Sequence, residues 1–375
     1  EKLINIVKMI FEENYIQSPN FPYRYIRPNK LFQFIRENLS NYEEIGSSHL
    51  EKPIYKASFG TGKIKIIAWS QMHGNESNAT LAMLDLLETW KKHPVLLDEI
   101  FQKVQLDFIF MLNPDGSERW TRRNAIDIDV NRDFFKESSK EIRVLKETVS
   151  CLHYDYAFNL HEQRTIYSTD GIHPATMSFL SPSENEEREI TETRKKSMAV
   201  ISYISKQMER IIPHHIARYT DEFYPTSTGD NFTKMGIPTI LFEGGHFEQD
   251  YLRHQTRKYY TIALYYGLKA ISELINSTKD WEDYFNLPEN KEDHFDIIYR
   301  NVKLNTDYDC VLDIAVQYQE QILEGNQEIS FVPIVVEVGD CSRKKGWEEI
   351  DCTDKYFKSE SLFPKLDSPQ NFDIV

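Results

Sequence analysis

The stretch Lys63–Glu76, KIKIIAWSQMHGNE, sets an apolar run, Ile64–Trp69, directly before a loop that carries His73, Gly74, Asn75 and Glu76. An apolar run of this density, entered from the turn Gly60-Thr61-Gly62, reads as a buried strand. The following segment, Glu76–Lys92, has helical periodicity, with Leu81, Leu84, Leu86 and Leu87 for its buried face. Two more apolar runs end in the same way. Tyr156–Leu160 leads into His161-Glu162-Gln163-Arg164, and Pro238–Phe242 leads into Glu243-Gly244-Gly245-His246. In open α/β sheets, functional groups gather beyond the carboxyl ends of the strands. Three strands that end in imidazole or carboxylate groups point to one shared site.

Working outward, Pro53–Phe59 alternates like a strand, and Val104–Leu112 is a strand stopped by Asn113-Pro114-Asp115-Gly116. Met177–Leu180 adds a short one. Helical stretches lie near Lys140–Leu152, Glu186–Ile211 and Leu252–Ile275. The first forty residues read as helical pieces, with Asn29 as N-cap of a helix over Leu31–Asn38. Strands alternating with helices predict an α/β fold, a mostly parallel mixed sheet flanked by helices. After Asn276 the runs Asp296–Leu304, Cys310–Tyr318 and Ile329–Val336 read as strands with no helices between them. The expected division is a catalytic domain over 1–280, opened by a helical segment 1–45, and a small β-rich accessory module over 290–375. The polar segment Ser277–Asp293 separates them.

Composition excludes several classes. A net charge of −15 with no Lys/Arg-rich stripe argues against a nucleic-acid partner. The apolar runs are too short for a bilayer, so no membrane partner is expected. The segment Glu1–Tyr15 is amphipathic without an unbroken apolar stretch, so no signal peptide is read and a cytoplasmic location is expected. The chain does not begin with Met, which leaves room for a trimmed leader. Cys151, Cys310, Cys341 and Cys352 show no CxxC spacing. A Cys341–Cys352 disulfide is the pairing to weigh, against free thiols as the default. Oligomeric state is not legible.

The pair His73-x-x-Glu76 has geometric merit. With His73 on the loop, Glu76 in the first helical turn and Gly74 allowing a sharp bend, both side chains can face one centre, and Asn75 or Ser77 can cap the turn. A third ligand from another strand end leaves one tetrahedral position for water. Two His and one Glu around an open position is a catalytic zinc pattern.

The segment Arg122–Phe134, RRNAIDIDVNRDF, packs guanidinium, amide and carboxylate groups together. It resembles the R-x-N-x-x-x-x-D-[LV]-N-R signature of the M14 zinc carboxypeptidases, and from Pro53 to Asn276 the order of elements is similar to that family. The resemblance implies that His73, Glu76 and His161 bind one Zn2+ and that Asp129 orients the His73 ring. It implies that Arg122 stabilises the oxyanion and that Asn131 and Arg132 receive a free terminal carboxylate. Glu243 would be the general base, and Tyr224 would cover the substrate. The implied activity is hydrolysis of the C-terminal peptide bond, on a peptide or acyl-amino-acid substrate with a free carboxylate. The alternatives are an N-acyl amino acid deacylase or peptidoglycan-peptide amidase, and a silent binding protein that keeps the fold. Two departures stand close to the site: Asp127, where a glycine is common, and Glu162, where a small or hydroxyl residue is common. Asp230, in the expected pocket segment Ser227–Thr233, reads as a helix cap or as a partner for a basic side chain. His246 and Arg164 are expected near the mouth, Trp120 in a pocket wall or in the core, and His173, His214 and His215 in loops.

Overall fold

The computed structural model describes residues 10–304, 308–323, 325 and 328–375. Of the helical pieces expected at the N-terminus, residues 1–9 lie outside that description. Within it the first helix is α1 (Pro28–Asn38). Asn29 is not its cap: the helix opens at Pro28, whose fixed φ suits a first turn, with Arg27 before it. A strand follows inside the segment expected to be helical, β1 (Tyr42–Ser47). Its sequence, YEEIGS, lies at the sheet edge and carries no apolar alternation to announce it.

Then come β2 (Pro53–Phe59), β3 (Ile64–Trp69), α2 (Asn78–Lys92), α3 (Asp98–Lys103) and β4 (Val104–Phe110). The chain continues through α4 (Pro114–Arg119), α5 (Lys140–Cys151), β5 (Tyr156–Glu162) and β6 (Met177–Leu180). It completes the sheet with α6 (Glu192–Ile211), β7 (Ile216–Arg218), α7 (Thr228–Lys234), β8 (Thr239–Gly244) and α8 (His254–Leu274). The sheet order is β1-β2-β4-β3-β5-β8-β6-β7. The four central strands β4, β3, β5 and β8 are parallel, while β2 and β6 join them antiparallel. The α/β reading holds, as a mixed sheet with a parallel centre.

Alternation along β3 shows why the sheet is covered on both faces. Ile66 and Ala68 enter a core with α2, α6 and α8, through residues such as Leu84, Ile204 and Leu264. Ile67 and Trp69 enter the opposite core, with Ile142 and Leu145 of α5 and Phe232 of α7. Side chains of a strand point alternately to its two faces, so the continuous apolar run Ile66–Trp69 must be buried on both. Helix α6 begins six residues later than its periodicity suggests, where the Thr191 side chain accepts from the Arg194 N–H.

Past residue 290 a second sheet forms from β9 (His294–Lys303), β10 (Val311–Ile322), β11 (Ile329–Gly339) and β12 (Lys345–Asp351). Its order is β11-β10-β9-β12, with β12 parallel to β9. The strand β12, KGWEEID, is charged and half-exposed, so its sequence gives little warning of it. All four cysteines are free, and Cys341 and Cys352 sit in separate buried clusters.

This sheet docks on the first through Glu320 of β10. Its carboxylate pairs with Arg24 and Arg164 and accepts the Trp120 indole N–H at 3.1 Å. Beside it, Trp347 of β12 lies edge-on to His246 at 4.9 Å, and Tyr318 of β10 to Tyr251 at 5.2 Å. Burial alone raises the Glu320 carboxyl, but Arg164 and Arg24 outweigh it and hold it at about 2. A depressed carboxyl stabilises the fold above the unfolded-state value, and that stability is lost as pH falls through the folded value. The expected contribution is on the order of 3 kcal/mol, present above about pH 4.3 and lost towards about pH 2. Thermal unfolding of wild type and Glu320→Gln across that acid range checks it. The two curves should converge as pH falls, and a constant gap would contradict the assignment.

Candidate metal centre and active site

The chain leaves β3 for β4 on one side and returns to β5 on the other, so strand order reverses between β3 and β5. Such a reversal leaves a crevice at the carboxyl ends of the strands. The loop after β3 fills it. The Gln71 amide donates to the Gly74 carbonyl at 3.0 Å and to Ser117 Oγ at 3.0 Å, and its oxygen accepts from Thr80 Oγ1 at 2.7 Å. A Cβ on Gly74 would stand 2.0 Å from the Gly116 carbonyl carbon. Glycine is needed here for close packing on α4, whereas the sequence suggested a bend. Glu76 does not belong to the first helical turn; α2 starts at Asn78, and the Asn78 N–H is taken by the Glu162 carboxylate at 3.0 Å.

His161 and Glu243 lie inside β5 and β8 and are register partners there. Strand pairing alone therefore sets them side by side. His73 Nδ1 and His161 Nδ1 stand 3.2 Å apart, with Glu76 Oε1 2.8 Å from the first and Oε2 3.0 Å from the second. All three side chains are buried. A tetrahedral ion holding nitrogen at ~2.0–2.1 Å separates two ligand nitrogens by roughly 3.3 Å. The donor set and its spacing therefore fit a divalent zinc ion. Among the described residues this is the one group of His, Cys, Asp or Glu side chains with ligand atoms in reach of a common ion. His173, His214 and His215 form no such group; the rings of His173 and His214 stack at 5.1 Å.

Burial opposes the charge on Glu76, yet the His73 and His161 imidazoles hold its carboxyl well below the ordinary range. Burial lowers His161, which suits a neutral ligand. Asp129 Oδ1 faces His73 Nε2 at 3.2 Å and accepts the Asn131 N–H at 3.0 Å, while Oδ2 accepts from Arg122 Nε at 2.9 Å. These partners overcome its partial burial and depress its carboxyl. A carboxylate behind a ligating histidine fixes the ring and its tautomer. For Glu243 the sign is opposite: burial first, then the Glu76 carboxylate, push its carboxyl well above the ordinary range.

A cavity of about 480 Å³ gathers these groups. His73, Glu76, His161, Arg122, Glu243, Asn131, Arg132 and Tyr224 line it, and Asp129 stands behind His73. Arg132 lies 4.9 Å over the Tyr224 ring, and Tyr224 is 46% exposed, so it stands at the mouth rather than in the core. The Asn131 side-chain oxygen accepts the Thr228 N–H at 3.2 Å. Asp230 also lines the wall, but Ser227 and not Asp230 precedes α7. The Asp230 carboxylate accepts from Ser227 Oγ and the Tyr224 N–H, each at 2.8 Å.

Other residues fall elsewhere. His246 is not in the cavity lining; it is buried against Trp347. Asp127 has φ 61°, the left-handed region that glycine enters freely, which accounts for a glycine being common there. Asp127 does not line the cavity, so its effect is on the backbone. Glu162 is buried among Arg24 at 2.7 Å, Arg253 at 3.0 Å and Arg164 at 2.8 Å. Arg24 and Glu320 support the site from distant parts of the chain. Their local sequences look like ordinary surface, and only tertiary packing reveals them.

The family model of the zinc carboxypeptidases, Peptidase_M14, matches residues 31–229. Carboxypeptidase 2 of Trichophyton tonsurans and of Trichophyton equinum is 26% identical over 121 residues, 32% of this chain. The chain spans only 21% of the length of these curated relatives. Among solved structures, a metallo-carboxypeptidase from Burkholderia cenocepacia superposes with a TM-score of 0.50 at 14% identity, over 64% of this chain and 67% of that one. A Pseudomonas aeruginosa metallo-carboxypeptidase, in complex with (2-guanidinoethylmercapto)succinic acid, gives 0.51 at 14% identity over 67% and 69%. Bovine thrombin-activatable fibrinolysis inhibitor, in complex with tick carboxypeptidase inhibitor, gives 0.51 at 17% identity over 65% and 96%. At such identities these likenesses establish the fold.

Replacing Asp129 by Asn frees the His73 ring. Affinity for a divalent zinc ion, read by competition with a chromophoric chelator, is expected to fall ~10–100-fold. An unchanged affinity would contradict the role given to Asp129.

Proposed function

Since the chain belongs to the zinc carboxypeptidase family, whose model matches just over half of it, we propose that it hydrolyses the C-terminal peptide bond of peptides, using one zinc ion per chain. The observation that carries this reading is the content of one cavity. It holds a His-Glu-His triad, the Glu243 carboxyl and, in the same lining, the Asn131 amide and the Arg132 guanidinium, the latter stacked on Tyr224. Zinc, when bound by His73, Glu76 and His161, supplies a Lewis acid and acidifies a water.

The chain's own residues do the rest. Arg132 is a planar guanidinium suited to a planar carboxylate, and Asn131 beside it adds an amide donor. Together they hold the substrate's free terminus, and Tyr224 closes over the terminal residue. Arg122 faces the carbonyl oxygen as it gains negative charge; its Nη1 already lies 3.8 Å from Glu76, at the edge of the ligand set. Glu243 takes a proton from the attacking water and delivers it to the leaving amine.

Glu243→Gln should retain zinc while turnover falls ~10²–10⁴-fold; metal analysis beside steady-state kinetics reads both, and undiminished turnover would remove Glu243 from the chemistry. Arg132→Ala should raise KM for peptides with a free C-terminus and leave any residual turnover of amidated ones unaltered. Equal loss on both would remove Arg132 from recognition of the terminal carboxylate. The function itself is tested with a mixture of free and C-terminally amidated peptides, read by mass spectrometry with and without chelator. Single-residue trimming of the free peptides alone, abolished by chelator, supports the reading. Release of an acyl group, or binding without cleavage, would replace it.

A further inference from the structure

The joint between the two sheets buries two titratable groups. His246 follows β8, and its ring meets those of Tyr251, at 5.1 Å, and of Trp347 in β12, at 4.9 Å. It is 3% exposed, its Nε2 has no hydrogen-bond partner, and among the described residues no carboxylate forms an ion pair with it. Asp296 of β9, 5% exposed, accepts the Tyr318 N–H at 2.7 Å. Both line a cavity of about 20 Å³ together with Arg164, Tyr251, Arg253 and Glu320. That is room for about one water, too little to hydrate an ion.

The two groups respond to acid with opposite signs. Tyr251 and Arg253 face His246 from the segment before α8, His294 faces it from β9, and Arg164, Asp296 and Glu320 stand across the cavity, while β12 brings the neutral Trp347. Burial, then Arg253 and His294, lower the imidazole to about 3, so it is neutral while docked. Once exposed it takes a proton below about 6.5, so through His246 a falling pH favours opening. Burial raises the Asp296 carboxyl to about 6 against the Tyr318 N–H, Tyr251 and Arg253, and Glu320 adds to the rise. Docked, Asp296 is protonated below about 6, but exposed only below about 3.9, so through it a falling pH favours closure. Glu320, held at about 2, changes the balance little above about pH 5.

We propose that the joint is an acid-sensitive latch: a proton on His246 releases the C-terminal sheet from the main sheet, and a proton on Asp296 opposes the release. Packed against two rings, with no acceptor and no room for hydration, an imidazolium cannot stay in the closed joint. Release takes Glu320 from the Trp120 indole and from Arg164, which lines the active-site cavity, so the wall of that cavity loses a support. The latch does not depend on which bond the site cleaves.

The test places a thiol in the closed joint of the full chain. Ile166, 5% exposed, lines the same cavity, so Ile166→Cys gives a thiol that a reagent reaches only when the joint opens. Its labelling rate, divided by that of the exposed Cys151, reads the opening equilibrium free of the reagent's own pH dependence. The buried Cys352, inside the C-terminal sheet, reports unfolding of that sheet instead. Between about pH 7.5 and about pH 5 the ratio should rise about fourfold in the Ile166→Cys background. Adding Asp296→Asn should steepen the rise to about 30-fold, and adding His246→Phe should turn it into a fall of about tenfold. Asp296→Asn leaves the ring packing alone and so carries the test independently of His246→Phe. A rise that survives His246→Phe, a rise no steeper in Asp296→Asn, or labelling of Cys352 in step with the introduced thiol overturns the latch.

Discussion

Two imidazole nitrogens 3.2 Å apart, each facing an oxygen of the same buried carboxylate, form the constraint on which the rest of this structure turns. Three polar side chains in so small a volume are costly without a cation to share. Much of the surrounding chain serves to hold them there. Gln71 ties the loop after β3 to α4 and α2, Gly74 presses on the α4 backbone, and the Glu162 N–H donates to Glu76 at 3.1 Å. The His161–Glu243 register then comes from ordinary parallel pairing, so the proposed base and the ligand need no separate device to meet.

Behind this centre lies a second layer of charge. Glu162 and Glu320 face Arg24, Arg164 and Arg253, drawn from four separate parts of the chain, with Glu162 and Arg164 neighbours after β5. Removing either carboxylate leaves buried guanidinium groups without full compensation, so the cluster locks the N-terminal segment, the main sheet and the C-terminal sheet into one arrangement. Glu162 also receives the first N–H of α2, the helix that follows Glu76. The residue that departs from the common family pattern is thus part of the frame, and its side chain meets arginines where a small residue would leave them unpaired.

Much of the site was legible because its chemistry sits at the ends of buried strands, where apolar runs stop at His161 and Glu243 and just short of His73. The segment from Arg122 to Phe134 was legible because its polar groups follow a fixed spacing. What escaped had physical reasons. An edge strand such as β1 has no buried face to impose alternation, and β12 is largely wet. The start of α2 has no local signal, because a carboxylate from another strand, Glu162, satisfies its N-terminus and no side-chain cap marks it. Arg24 and Glu320 were invisible because a lone charge in a polar stretch acquires its meaning only from partners 138 and 156 residues away. Asp127 departs from a common glycine at a left-handed backbone position, a constraint that no side-chain pattern announces.

His73, Glu76 and His161 are placed to share one divalent ion. Native mass spectrometry of the purified chain measures this directly. One zinc per chain is expected in the wild type and none in His161→Ala. A wild type that takes up no zinc from a zinc-containing buffer, or a His161→Ala variant that binds it as tightly, would rule out a shared ion at these three side chains.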